Sequence, residues 1–130
     1  MPLDVHVVTP EREIWSGKAT MVIARGVEGE VGILPQHAPL LIRLAVGPLR
    51  IRTNGTEEAA VVDGGFLHVT STEGVTRVDV LASYAEMAGQ IDLRAAEARV
   101  QELQGRLGQA DDAALRVELA KASARVELAR

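Results

Sequence analysis

The spacing of apolar residues changes once along this chain, near Tyr84, and no single kind of secondary structure satisfies both halves. Before that point Leu3-Asp4-Val5-His6-Val7 and Leu49-Arg50-Ile51-Arg52-Thr53 alternate apolar with polar, as half-buried strands require. Asn54-Gly55 is a strong two-residue hairpin signal, and the chain returns through Ala59-Ala60-Val61-Val62. A second hairpin is expected from Leu67-His68-Val69-Thr70 through the turn Ser71-Thr72-Glu73-Gly74 into Val75–Val80. Short strands at regular spacing with glycine turns predict an antiparallel β-sandwich rather than alternating strands and helices. Gly64-Gly65 precedes a strand, not a helix, and reads as a bulge rather than a phosphate cradle.

Beyond Tyr84, Leu93, Ala96, Val100, Leu103 and Leu107 recur at intervals of three and four, which places them on one helix stripe. Asp92 is placed to cap its start; Gly105 and Gly108 weaken its end. Gln109-Ala110-Asp111-Asp112 reads as a turn with a second cap, and Leu115, Leu119, Ala122, Val126 and Ala129 form the next stripe. So short a turn predicts an antiparallel helical hairpin. At about 100° per residue, Val117, Ala120, Ala124 and Leu128 form a second line almost opposite the first. That line either rests on the sandwich or allows the helix to exchange partners. The expected organisation is a sandwich over residues 1–86 and a hairpin over 87–130.

Composition narrows the chemistry. With 47% hydrophobic residues but one Trp, one Tyr and one Phe, the core must be aliphatic. Cysteine is absent, which removes disulfides, thiolate metal sites and cysteine nucleophiles. His6, His37 and His68 lie on separate segments without ligand spacing, and His6 and His68 are expected on solvated strand faces. Ser16, Ser71, Ser83 and Ser123 have no nucleophile-elbow setting, and no phosphate-binding loop motif occurs. No metal, nucleophilic catalysis or resident cofactor is expected. The net charge of −4 argues against nucleic acid. The start carries no basic, long-apolar leader, and a cytoplasmic protein without a membrane span is expected. Acids and bases balance over residues 91–130, Asp111 included, so the whole −4 belongs to the first part. Within 113–130 the bases Arg116, Lys121, Arg125 and Arg130 outnumber Glu118 and Glu127.

Residues 28–41, Glu-Gly-Glu-Val-Gly-Ile-Leu-Pro-Gln-His-Ala-Pro-Leu-Leu, place glycines and prolines at fixed offsets among apolar residues. Gly29 and Gly32 permit unusual backbone angles, while Pro35 and Pro39 deny ladder donors. Val31, Ile33 and Leu34 would anchor the segment and leave Glu28, Glu30 and His37 outward, as a contact loop or as ordinary solvated turn residues. The segment resembles the signature loop E-G-E-x-G-I-x-P-x-H-A-P-L-L of the epsilon subunit of bacterial rotary ATP synthases. Leu3–Arg12, Trp15-Ser16-Gly17, Gly47–Arg52, Asp63–Val69 and Val78–Ala82 extend the resemblance over the sandwich. The last forty or so residues match by charge and helical pattern alone.

That resemblance implies a non-catalytic rotor subunit, peripheral on the cytoplasmic face of the cell membrane. Its sandwich would grip the gamma subunit and rest on the c-ring through Glu28, Glu30 and His37, with Glu30 the leading contact. Its hairpin would extend into the catalytic alpha/beta head and hinder ATP hydrolysis, Arg116, Lys121, Arg125 and Arg130 meeting acidic groups there. Those bases are scattered around the helix, and a solvated face of mixed charge is the other reading. Some epsilon subunits bind ATP through [IL]-D-x-x-R-A, but Ile91-Asp92-Leu93-Arg94-Ala95 is one residue short. Asp92 and Arg94 then lie about 200° apart on the helix, and Asp92 is better explained as a cap. A nucleotide-sensing module remains the alternative function.

Overall fold

The computed structural model describes residues 2–110 and 112–130; Asp111, placed above in the inter-helix turn, lies outside the described residues. Eight strands come first: β1 Leu3–Val8, β2 Glu13–Ala19, β3 Met21–Gly26, β4 Gly29–Ile33, β5 Leu40–Thr53, β6 Thr56–Thr72, β7 Val75–Ala82 and β8 Ala85–Met87. A single 3-10 turn, Ala88–Gln90, leads to α1 Leu93–Leu107 and α2 Ala113–Ala129. The strand order is β2-β1-β7-β6-β5-β3-β4, with β8 also on β6.

Alternation does what the sequence predicted: Leu3, Val5 and Val7 of β1 and Val78, Val80 and Ala82 of β7 turn inward. They meet Val22, Ala24, Leu49, Ile51, Ala60 and Val62 in one aliphatic core. Each valine, leucine or isoleucine among them contributes about 1.5–3 kcal/mol through burial. Trp15 packs at the margin, its Nε1 donating to Glu58 Oε2 at 2.8 Å.

Two expectations need correction. Ala59–Val62 and Leu67–Thr70, read as strands of separate hairpins, belong to one strand, β6, of 17 residues. It pairs with β8 through Ala60–Val62 and with β7 through Gly65–Thr72, while β5 follows it from Thr56 to Val69. Gly64 and Gly65, at φ of 92° and 126°, let β6 swing between layers without ending the ladder. A Cβ on Gly65 would stand 2.2 Å from the Leu81 carbonyl oxygen, closer than any side chain tolerates. The sandwich is also not wholly antiparallel, since β1 and β7 run parallel. The Asn54-Gly55 turn joins β5 to β6 as expected, and Glu73-Gly74, both at positive φ, turn β6 into β7.

Asp92 caps α1, accepting from the Ala95 amide at 3.1 Å, and Asp112 caps α2 through Ala114 at 2.8 Å. α1 runs through Gly105 to Leu107. The helices pack on each other through Ala96, Leu103, Ala122 and Val126, and α2 also lies against β5 and β6. Val61, on the opposite face of β6 from Ala60 and Val62, is fully buried on this side. Along the second line of α2, Val117 and Ala120 stay exposed, whereas Ala124 and Leu128 are half-buried. Only the C-terminal half of that line is therefore covered.

Candidate functional site

The loop singled out in the sequence is tied to the sandwich by hydrogen bonds. β3 and β4 are joined through Val27 and Glu28, with Gly26 opposite Gly29 at φ 133°. After β4, the His37 amide bonds the Leu34 carbonyl at 3.1 Å, closing a turn with Pro35 and Gln36 at its centre. Gln36 adopts φ 70°, and its amide donates to the Thr76 hydroxyl on β7 at 2.8 Å. Thr76 is buried, so this bond ties the loop to the sandwich. Pro35 at the second position of such a turn fixes φ where it is needed. His37 donates from Nδ1 to the Ala38 carbonyl at 2.7 Å, which leaves Nε2 as the other polar atom of the ring.

Glu28 and Glu30 are exposed, Glu30 opposite Arg25 across the β3–β4 ladder. Beside them Val27, Val31, Leu41 and Arg43 line a hollow of about 340 Å³. Val27 and Leu41, more than half exposed, were missed in the sequence because strand alternation alone does not tell a solvated apolar residue from a core one. The hollow continues onto a sheet face. In register across four strands stand Arg43, Phe66, Leu81 and Val8, with Leu41, His68, Asp79 and His6 in the next row. Leu41, Phe66 and Leu81 are all exposed, a grouped apolar surface rather than scattered singletons. His68 is exposed as expected, but His6 is not simply solvated. β1 is flanked by β2 and β7, and His6 sits half-buried with Nδ1 3.0 Å from Glu13 and Nε2 3.2 Å from Asp4.

The second assembly of charged groups lies where the hairpin meets the sandwich. Arg125 donates from Nη1 and Nη2 to both oxygens of Asp63, at 3.0 and 2.8 Å, and from Nε to Glu86 at 2.6 Å. It also donates to the Lys121 carbonyl at 2.9 Å and stands 5.7 Å from the centre of the Tyr84 ring. Burial would depress the Arg125 pKa, but the Asp63 and Glu86 carboxylates outweigh it and hold the guanidinium above its ordinary value. The three bases of α2 and Arg130 at its C-terminal cap are thus in different situations. Arg125 is engaged within the chain; Lys121 pairs with Glu118 at 3.3 Å and Arg130 with Glu97 at 3.7 Å. Arg116 lies on an exposed part of the helix.

A cleft of about 570 Å³ opens beside this junction, lined by Asp92, Arg99, Glu118, Lys121 and Arg125 among others. Asp92 borders it while serving as the cap of α1; Arg94 is exposed and does not line it. Of the sequence pair Asp92 and Arg94, only Asp92 borders this cleft. Among the described residues no group of three or more histidine and acidic side chains is placed to hold a metal.

Comparison with known proteins gives a consistent result. A family model described as the ATP synthase delta/epsilon chain, beta-sandwich domain, matches residues 2–88. The chain is 43% identical over 133 residues to the ATP synthase epsilon chain of Thermobifida fusca, covering 98% of this chain and 92% of that one. It is 45% identical over 106 residues to the epsilon chain of Brevibacillus brevis, covering 81% and 77%. Among solved structures, a chain of the Euglena gracilis mitochondrial ATP synthase OSCP/F1/c-ring assembly superposes with a TM-score of 0.78 at 26% identity, over 98% of this chain and 78% of that one. A chain of the Tetrahymena thermophila mitochondrial ATP synthase central stalk and c-ring shares the fold, with a TM-score of 0.62 at 19% identity over 98% and 93%.

Proposed function

This chain belongs to the ATP synthase delta/epsilon family, beside the bacterial epsilon chains, and from that premise we propose that it is a non-catalytic rotor subunit of a central stalk. The sandwich grips the gamma subunit and rests on the c-ring, at the cytoplasmic face of the membrane. The observation that carries this reading is the exposed apolar surface of Leu41, Phe66 and Leu81, continuous with the projecting loop of Glu28 and Glu30. Such a surface favours a protein partner on the sheet, and the loop offers carboxylates to a polar one at its tip. No helix among the described residues is long and apolar enough to cross a membrane, which suits a peripheral role.

The hairpin acts as a brake. Docked, it permits turnover; extended along gamma, it carries Arg116, Lys121, Arg125 and Arg130 to acidic groups of the catalytic head and hinders hydrolysis. Support comes from the shallow apolar seat of α2, which buries Val61, Ala122 and Val126 but leaves Val117 and Ala120 in water. The test is an assembled complex in which the chain ends at Gln90. Faster ATP hydrolysis with synthesis preserved is expected; hydrolysis at the parental rate would reduce the role to assembly and coupling. A nucleotide-sensing reading draws on the cleft with Arg99 and Lys121, and calorimetry of the isolated chain with ATP separates the two.

A further inference from the structure

We propose that Arg125 is the latch of the helical hairpin and that Asp63, Glu86 and Tyr84 form a preassembled guanidinium socket that decides how firmly the hairpin stays docked. The inference rests on reading the hairpin as a movable element and goes further, assigning its hold on the sandwich to one side chain. All three socket residues belong to the strand-built part of the chain and are fixed there independently of the helices. The Asp63 amide bonds the Tyr84 carbonyl at 2.9 Å, and the Ser83 hydroxyl donates to the Asp63 carbonyl at 2.8 Å. Val61 and Val62 pair with Glu86 and Ala85 across the β6–β8 ladder. Asp63 immediately precedes the Gly64-Gly65 bend, which turns β6 into the other layer just beyond the socket.

The chemistry of the socket is selective. Two carboxylates meet three nitrogens of one planar fork, and an aromatic ring stands beside the cation. An ammonium supplies charge but not this geometry. The Asp63 and Arg125 side chains are 8% and 14% exposed, so Asp63 without Arg125 would be a buried carboxylate that has lost its cation while the hairpin is docked. Once α2 leaves, both groups regain water, and release costs neither a stranded ion. A polar latch of this kind makes docking depend on one contact while keeping the released state soluble. An apolar seat of equal strength would instead leave a greasy surface on both partners.

The test uses the full chain, whose lack of cysteine allows two spin labels to be placed cleanly, at Val117→Cys on α2 and Thr72→Cys at the end of β6. Pulsed electron resonance should give one narrow distance for the parent. In Arg125→Gln a second, broad population should appear, with the docked-to-released ratio falling about tenfold or more. Arg125→Lys should fall between the two. Asp63→Asn combined with Arg125→Gln should be no worse than the poorer single variant, because the pair is already lost. Hydrogen exchange of the β6–β7 amides should be the same throughout. Should Asp63→Asn disturb those amides, Glu86→Gln replaces it in the cycle. An unchanged distance distribution in Arg125→Gln, additive single effects, or a parent already broadly distributed would each overturn the latch. Because the distances are read on the isolated chain, loss of the brake reading in an assembled complex would leave this result standing.

Discussion

Arg125 and Asp63, 62 positions apart in sequence, face each other through paired hydrogen bonds of 3.0 and 2.8 Å that join the last helix to the bend of the longest strand. This contact links the two periodic halves of the chain at the place where β6 changes layers. It also explains why an arginine that the sequence offered to an outside partner is occupied inside the folded chain. Whatever draws the hairpin away must compete with Asp63 and Glu86 for the same guanidinium.

The bend itself should be intolerant. Gly65 combines φ of 126° with a Cβ position 2.2 Å from a backbone carbonyl, so neither strain nor crowding can be relieved by a side-chain rotation. Gly65→Ala should destabilise the sandwich by about 3 kcal/mol or more, read as a lowered urea midpoint. Gly55→Ala, with open space around it but φ of 78°, should cost only about 1–2 kcal/mol.

The projecting loop should loosen when its anchor is removed. Thr76→Val keeps the shape of a buried side chain but withdraws the hydroxyl that accepts from the Gln36 amide. A cost of about 1–2 kcal/mol is expected, with faster hydrogen exchange confined to residues 34–38. Exchange unchanged in that segment would show that the turn closed by Leu34 and His37 holds alone.

Charge reversal at the loop tip separates folding from coupling. Glu30→Lys faces Arg25 across the ladder and should cost under about 1 kcal/mol, a small shift in melting temperature. Proton pumping by a reconstituted complex should fall far more than that shift can explain. Normal pumping would remove Glu30 from the proposed c-ring contact.

A chain ending at Gln90 should remain folded, because β8 and the 3-10 turn are retained with the whole aliphatic core. It should still co-purify with gamma. Its new liability is Val61, fully buried beside α2 in the full chain, and Val61→Thr should raise the solubility of the fragment. Failure of the fragment to fold would show that the hairpin belongs to the core.

Much of this architecture was legible in local pattern. Alternation at Leu3–Val7 and Leu49–Thr53, the Asn54-Gly55 turn, and the three-and-four spacing after Tyr84 fix which residues face the core and where strands give way to helices. Asp92 and Asp112 announce helix starts because a short carboxylate satisfies amides within its own neighbourhood. Those signals act over a few residues, so one sequence carries them whole. The tertiary structure alone decided that β6 is continuous, since the conformation of Gly64-Gly65 depends on β5, β7 and β8 around it. It alone set β1 parallel to β7 and left His6 half-buried between Asp4 of its own strand and Glu13 of β2. It alone turned Arg125 toward Asp63. Contacts between residues 62 positions apart depend on how separate elements pack, and a helix face carries no mark of the surface that will receive it.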